Sequence, residues 1–469
     1  MSEQSGKGTE HVSPMDWDPI STDTADQGPS PLSISDEGYQ LYKIESHKPY
    51  EISECEYDPG RLPRIILGDV IRPDSQNSNM DKYKVLKYLG RGGFAKVWLS
   101  ETKIGEYSAI KVTESDKYFR EAAEREIMVG YLIRLYQFHF GGSIHQFFQF
   151  MGILQKFRQH NNIVKFLGCF AIKNDTVQHM ALRFEALGPN LDHILDRSVQ
   201  KFHPNVMKTI IKQLLEALKY IHRKFIIHVD IKPSNILIAI SKENMLDIVH
   251  SLGSTDDYYL DLNYSKLNVK LGDFGVSVKT RKACQSEHLS TCAYRAPESF
   301  LTTTIDFPID LWSMGCVIHK IVTRKPLFTC GQEKDDEQHG IAHLIKMART
   351  LGPIPAAPFR TSSRPVYEEV FGKRNSFSRG NPFVRGNFVE AAAGYLEAQE
   401  ANRFYNFMQK FLEYDPKKRI TAAMANEDEF LHPQKRRFII RRYIIKKRQV
   451  NPDTKPEVAS QMSAGDNDI

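Results

Sequence analysis

The chain contains no run of apolar residues near eighteen in length, so nothing in it reads as a membrane-spanning helix. Cysteine is sparse and scattered. Cys55, Cys169, Cys284, Cys292, Cys316 and Cys330 form no C-x-x-C pair and no metal-ligand spacing. Met1 is not followed by the charged and then apolar stretches of a secretory signal, so a reducing cytosolic or nuclear setting is expected. A large excess of one charge is also missing. With 63 Lys+Arg against 57 Asp+Glu the net charge is +6, which does not indicate a strongly basic nucleic-acid binder. The excess is local, in Lys435 to Arg448 (KRRFIIRRYIIKKR), and no internal repeat is visible.

What remains is ordinary globular material: 469 residues, 41% hydrophobic and 26% charged, enough for one large two-lobed domain or two to three smaller ones. Residues 1–37 are rich in Ser, Asp, Pro and Gly and poor in large apolar side chains, so a disordered tail is expected there. Ile65-Ile66-Leu67 and Tyr83-Lys84-Val85-Leu86 read as short strands, and short strands dominate to about Glu185. Helical spacing follows, with Val206, Ile210, Ile211, Leu214, Leu215, Leu218 and Ile221 at three- and four-residue steps. Strands first and helices second argue for an α+β fold with two lobes. The polar end, Asn451 to Ile469, is expected to be disordered.

Chemistry enters with Leu89-Gly90-Arg91-Gly92-Gly93-Phe94-Ala95-Lys96-Val97. Gly90 and Gly92 let a hairpin turn tightly and approach phosphate oxygens without a Cβ in the way. Ala95 stands where a third Gly is usual, and a Gly-rich hairpin can be only a turn. Ala109-Ile110-Lys111 matches the end of V-A-I-K, whose strand Lys contacts the α- and β-phosphates. An exposed strand lysine is the ordinary alternative. A partner carboxylate is needed on the next helix, where Glu124 and Glu126 both stand; Glu126 is preferred because Ile127 beside it begins the apolar face.

The specific signal is His228-Val229-Asp230-Ile231-Lys232-Pro233-Ser234-Asn235, which matches H-R-D-L-K-x-x-N except at Val229 and conservatively at Ile231. Asp230 suits a group that accepts a substrate hydroxyl proton, and Lys232 suits one that neutralises a transferring phosphoryl group. Asn235 offers a neutral oxygen to a metal, and Asp273 of Asp273-Phe274-Gly275 offers a hard carboxylate for Mg²⁺. Ala296-Pro297-Glu298 closes the segment. Asp310-Leu311-Trp312-Ser313-Met314-Gly315 and Asp415-Pro416-Lys417-Lys418-Arg419 fall where a buried helix and an Arg partner for Glu298 are needed. In this order and spacing the motifs are those of a protein kinase, and Lys232 two residues after Asp230 is the Ser/Thr arrangement.

From about Glu56 to Pro433 the chain resembles protein kinases of the group with cyclin-dependent, MAP, dual-specificity and SR-protein kinases. Tyr294-Arg295 before Ala296 is that group's habit, and so is Phe184-Glu185 at the hinge. Within the group it is most similar to SR-protein kinases of the fungal type. Glu56-Tyr57-x-Pro59-Gly60 with Gly68-Asp69, Phe184-Glu185-Ala186-Leu187-Gly188-Pro189-Asn190-Leu191, and His343-Leu344 through Leu351-Gly352-Pro353-Ile354-Pro355 carry that likeness. The resemblance implies a bilobal kinase fold, β-rich in its N-lobe and helical in its C-lobe, across 50–433. The N-lobe would span about 80–185 and the C-lobe about 186–433. ATP and Mg²⁺ are implied, with Phe184 as gatekeeper and Ala109, Glu185 and Leu187 around the nucleotide. Implied too are protein substrates rich in Arg-Ser, a part in mRNA splicing regulation, a monomer in cytoplasm and nucleus, and no membrane or direct nucleic-acid contact. The alternatives are another kinase of the same group with a different substrate, or a pseudokinase-like scaffold, against which Lys111, Asp230, Asn235 and Asp273 are all intact. Cationic substrates call for an acidic groove. Glu333-Lys334-Asp335-Asp336-Glu337 is a candidate for it, or simply a solvated loop.

Several segments depart from the family. Val229 replaces the Arg that in many kinases receives an activation-loop phosphate, so activity without that phosphate is expected. Cys292 replaces an Arg after Thr291. Residues 239–266 fill the place where the family splits its domain, with about thirty residues. Residues 129–149, aromatic and apolar, intervene after Glu126-Ile127-Met128 as a docking insertion or a retained intron. The tail, 434–469, is basic and then polar; its basic part reads as a nuclear-import or polyanion-binding element, or as a terminal segment packing on the lobe.

Overall fold

In the stretch from Tyr83 to Lys87 alternate residues are buried, the two-residue period of a strand with one face on a core. A computed structural model of the chain describes residues 39–46, 62–74, 81–92, 95–134, 160–174, 177–197, 201–250, 267–279, 282–283, 291–302, 304–329, 336–361, 364–377 and 395–432. The first half forms β1 (Leu41–Glu45), β2 (Val70–Pro73), β3 (Tyr83–Arg91), β4 (Ala95–Thr102), β5 (Tyr107–Thr113), β6 (Phe166–Asn174) and β7 (Val177–Glu185). They close into a barrel in the order β1-β2-β3-β4-β5-β7-β6, the parallel pairing of β1 with β6 making the seam. Tyr42, Ile71, Tyr83, Trp98, Ile110 and Phe170 fill its interior.

The expected strand at Ile65–Leu67 is instead irregular chain that runs into a turn at Leu67. Buried Asp69 accepts the Ile66 N–H at 2.8 Å and the Ser46 hydroxyl at 2.5 Å, and Gly68 turns the chain at φ +92°. Pairing starts only at Val70. β1 lies ahead of the expected domain start at 50. Residues 1–37 lie outside the described residues.

Helix α1 (Lys117–Arg134) crosses the barrel. Ala123 and Ile127 face β6 and β7, whereas Val129 and Ile133 join the core of the second lobe. Gly130 lies against the Phe166 ring, where a Cβ would come within 2.8 Å, and Tyr131 meets the same ring edge-on. The insertion expected at 129–149 therefore begins inside a continuous helix, and 135–149 lie outside the described residues.

The second half is helical: α2 (Leu191–Arg197), α3 (Pro204–Arg223), α4 (Lys242–His250), α5 (Pro297–Leu301), α6 (Pro308–Thr323), α7 (Asp336–Leu351), α8 (Pro365–Phe371), α9 (Ala398–Phe411) and α10 (Ala422–Asn426). α3 starts at Pro204, which needs no backbone donor in the first turn, and buries Met207, Ile210, Ile211, Leu214, Leu215, Leu218 and Ile221. α6 is buried on nearly every side from Ile309 to Val322 and forms the centre of this lobe. Short strands β8 (Ile226–Ile227), β9 (Ile236–Ala239), β10 (Asn268–Leu271) and β11 (Val278–Lys279) lie between α3 and α5. Within the expected insertion at 239–266, α4 reaches the first lobe: the buried Lys87 ammonium on β3 donates to the Ile248 carbonyl at 3.0 Å. Residues 251–266 lie outside the described residues. The architecture is α+β, with a β-rich N-lobe and a helical C-lobe.

Candidate active site

Sheet register builds the first wall. β3 and β4 pair Gly90 with Val97 and Arg91 with Lys96, and the Gly92 N–H reaches the Ala95 carbonyl at 2.8 Å. Gly90 sits at φ +149°, a conformation that side chains rarely adopt. Leu89 precedes it on β3; Gly93 and Phe94 lie outside the described residues. β5 then sets Lys111 opposite Val97 and Ala109 opposite Leu99, directly beneath the hairpin. On its other side Ala109 pairs with Phe184 of β7.

Lys111 links three elements. Its ammonium lies 2.8 Å from Glu126 Oε2 on α1 and 2.9 Å from Asp273 Oδ1. The other candidate, Glu124, pairs with Arg120 at 3.5 Å instead. Burial opposes the Lys111 charge, but Asp273 and Glu126 outweigh it and raise its pKa. The same ammonium lowers the Asp273 carboxyl to about 2. Glu126 is shifted up, because burial outweighs the lysine beside it.

The second wall is the loop after β8. Asp310, fully buried at the start of α6, accepts the His228 N–H with Oδ2 and the Val229 N–H with Oδ1, each at 2.8 Å. Val229 stands at φ +76°, an outlier for a β-branched residue, so the carboxylate clamps a strained turn. The His228 ring contacts the Gly272 carbonyl at 3.0 Å and packs on Phe274. Asp230 follows. Its Oδ2 lies 2.7 Å from Lys232 Nζ, and its Oδ1 accepts both the N–H and the hydroxyl of Thr291 at 2.9 Å. Lys232 also donates to the Thr291 hydroxyl at 2.8 Å.

Asn235 spends its amide N–H groups on the Asp230 carbonyl, 2.8 Å, and Oδ2, 3.1 Å. That turns its oxygen away from Asp230. The Gly272 N–H bonds the Asn235 carbonyl at 2.9 Å, which sets Asp273 beside it. A neutral oxygen and a half-exposed carboxylate are the hard donors that Mg²⁺ takes, so these residues fit a metal–phosphate group.

At the lobe junction Glu185 is held by two lysines: the Lys165 N–H at 2.7 Å, and Lys270 of β10 at 2.7 and 2.8 Å. Phe184 packs edge-on against Phe166, and Leu187 is half-buried just beyond. Glu298 and Arg419 form a buried two-pronged pair at 2.5 and 2.9 Å. The side chains of the candidate acid cluster, 333–337, lie outside the described residues.

Three site residues escaped the sequence reading: Thr291 on Asp230, Lys270 on Glu185, and Arg125, whose Nε donates to the Gly275 carbonyl at 3.3 Å. Only Thr291 left a trace, as a hydroxyl between Asp273-Phe274-Gly275 and Ala296-Pro297-Glu298. The sulfur of its neighbour Cys292 lies 3.0 Å from His339 and 3.5 Å from His343. Spacing along the chain shows no such pairing.

The family model for the protein kinase domain matches residues 83–431. The chain is 30% identical over 373 residues to the serine/threonine-protein kinase AFC3 of Arabidopsis thaliana, covering 74% of this chain and 82% of that protein. It is 28% identical over 353 residues to the serine/threonine-protein kinase ppk5 of Schizosaccharomyces pombe, covering 75% and 36%. To the dual specificity protein kinase CLK2 of Homo sapiens it is 27% identical over 359 residues, covering 75% and 64%. A protein kinase domain uses ATP, typically with Mg²⁺, and acts on protein. With the paired Lys111, the clamped loop at Asp230 and these relatives in hand, the chain belongs to the protein kinase family, as a serine/threonine kinase of the AFC and CLK type.

Proposed function

We propose that the chain phosphorylates serine in Arg-Ser-rich proteins of the splicing-factor kind, and that Asp230, Lys232, Lys111, Asn235 and Asp273 carry the reaction. The observation behind the catalytic reading is the joint contact of Asp230, Lys232 and Thr291, all within 2.9 Å of one another. Bound Mg²⁺ and ATP supply the phosphoryl group and neutralise its charge. The Asp230 carboxylate accepts the substrate hydroxyl proton and aims its oxygen. Lys232 would balance charge on the moving group, and Lys111, fixed by Glu126, would hold the phosphates of bound ATP. Asn235 and Asp273 would hold Mg²⁺ through oxygen. Leu89, Ala109, Phe184, Glu185 and Leu187 would surround the base of bound ATP, and the glycine-bearing β3–β4 hairpin would meet its phosphates.

The substrate class rests on the segments Phe184 to Leu191 and His343 to Pro355, which resemble SR-protein kinases. We further infer a monomer working in cytoplasm and nucleus. Among the described residues no helix is long and apolar enough to cross a membrane. The test is labelled-phosphate transfer to an Arg-Ser repeat peptide and to a basic serine peptide without the repeat, with Asp230→Asn as control. Transfer selective for the repeat supports the substrate class, and transfer to the second peptide alone rejects it while keeping the kinase.

A further inference from the structure

A groove of about 890 Å³ opens on the C-lobe where the end of α7, the second half of α9 and the chain through α10 meet. Part-buried Leu351 and Tyr405 supply apolar lining over the buried Met408, Leu412 and Ile420, and Met424, 64% exposed, stands at its lip. The wall is acidic on balance: Glu413, Asp428 and Glu429 against Lys410 and Lys418. Both lysines already face carboxylates, Lys410 on Asp428 at 2.5 Å and Lys418 on Asp415 at 3.6 Å.

The last described residue, His432, is tied to this lip. Its N–H donates to the Asp428 carbonyl at 3.1 Å, and its ring contacts the Asn426 carbonyl at 3.0 Å. Lys435 comes three residues later, so the basic segment begins within about 10 Å of that anchor. It runs KRRFIIRRYIIKKR, with Phe438-Ile439-Ile440 and Tyr443-Ile444-Ile445 set between basic pairs. An apolar floor with acidic walls is the complement of that composition.

We infer that residues 435–448 dock in this groove of their own chain, the isoleucines on Leu351, Tyr405 and Met424 and the basic pairs on Glu413 and Glu429. Docking in cis is favoured because the anchored His432 delivers the segment at high effective concentration. The motif thereby becomes part of the folded domain and is withheld from polyanions while docked.

Limited trypsin digestion of the full chain, followed by mass spectrometry of cuts between 435 and 448, tests this. Cleavage tracks the undocked fraction when undocking and redocking are fast. The wild-type tail should be cut more slowly than a free peptide of residues 433–469. Met424→Arg, and separately Glu413→Lys with Glu429→Lys, should speed the cuts about tenfold, equivalent to about 1.4 kcal/mol of docking. Kinase activity should be unchanged in both. Equal rates in wild type, variants and free peptide would overturn the inference. Protection that grows with protein concentration would overturn the cis arrangement in favour of a second copy. Zero-length carbodiimide coupling of the wild type gives an independent readout that needs no variant. It should join Lys446 or Lys447 to Glu413, Asp428 or Glu429, and links only to other acids would count against the groove.

Discussion

Asp310 Oδ1 accepts the N–H of Val229 at 2.8 Å, and that bond holds a β-branched residue at φ +76° one position before Asp230. The second oxygen serves His228, so one fully buried carboxylate fixes the backbone on which the proposed base is mounted. Strain at the loop is thus balanced from the centre of the C-lobe.

Asp310→Asn sets an amide N–H against one of two backbone donors. It should lower stability by about 2–3 kcal/mol and reduce kcat more than it raises the KM for ATP. Urea unfolding with steady-state kinetics reads both. Lost stability with an unchanged kcat would separate Asp310 from catalysis.

The Lys111–Asp273 pair sets a pH dependence. The Asp273 carboxyl is near 3.8 in the unfolded chain and is lowered to about 2 by Lys111 in the fold. An acid with a depressed pKa stabilises the fold above its unfolded value and loses that contribution as pH falls through the folded one. The stability gap between wild type and Lys111→Met should therefore narrow between about pH 4 and pH 2. Asp273 is 47% exposed, so solvent screening keeps the gap small. Urea titrations across that range would show a constant gap if the pairing were absent.

Arg419→Met would strand Glu298, which is 4% exposed and bonded by both guanidinium prongs. A cost of about 3–5 kcal/mol is expected from removing one partner of such a pair. Replacing Glu298 by Met as well should recover part of it. Additive losses in the double variant would mean that the two residues do not act as a pair.

Val229 is buried and carries no charge, so it cannot receive an activation-loop phosphate. Phosphatase-treated enzyme should keep its full rate of transfer. A rate that collapses on treatment and returns on rephosphorylation would show that another cation takes that part.

Local motifs were legible wherever the chemistry needs contiguous residues. His228 to Asn235 sit together on one loop, and the spacing of Lys111 from Glu126 could be read because a strand and the next helix carry them. The α3 face was legible because burial follows the helical period. Long-range relations left no local signal. Lys87 occupies an inward strand position and finds its acceptor, the Ile248 carbonyl, 161 residues away. Ile65–Leu67 has the composition of a strand, yet Asp69 bonds the Ile66 N–H and turns the chain first. Lys270 on Glu185 joins two lobes that sequence order keeps apart.

The most direct test of the catalytic reading is phosphate transfer by Asp230→Asn under conditions where ATP binding is shown to be intact. If Asp230 positions the acceptor hydroxyl and takes its proton, transfer to serine should fall about a hundredfold or more, with nucleotide affinity near wild type. Transfer at the wild-type rate would contradict the account, because the Asp230–Lys232–Thr291 constellation would then be structural only.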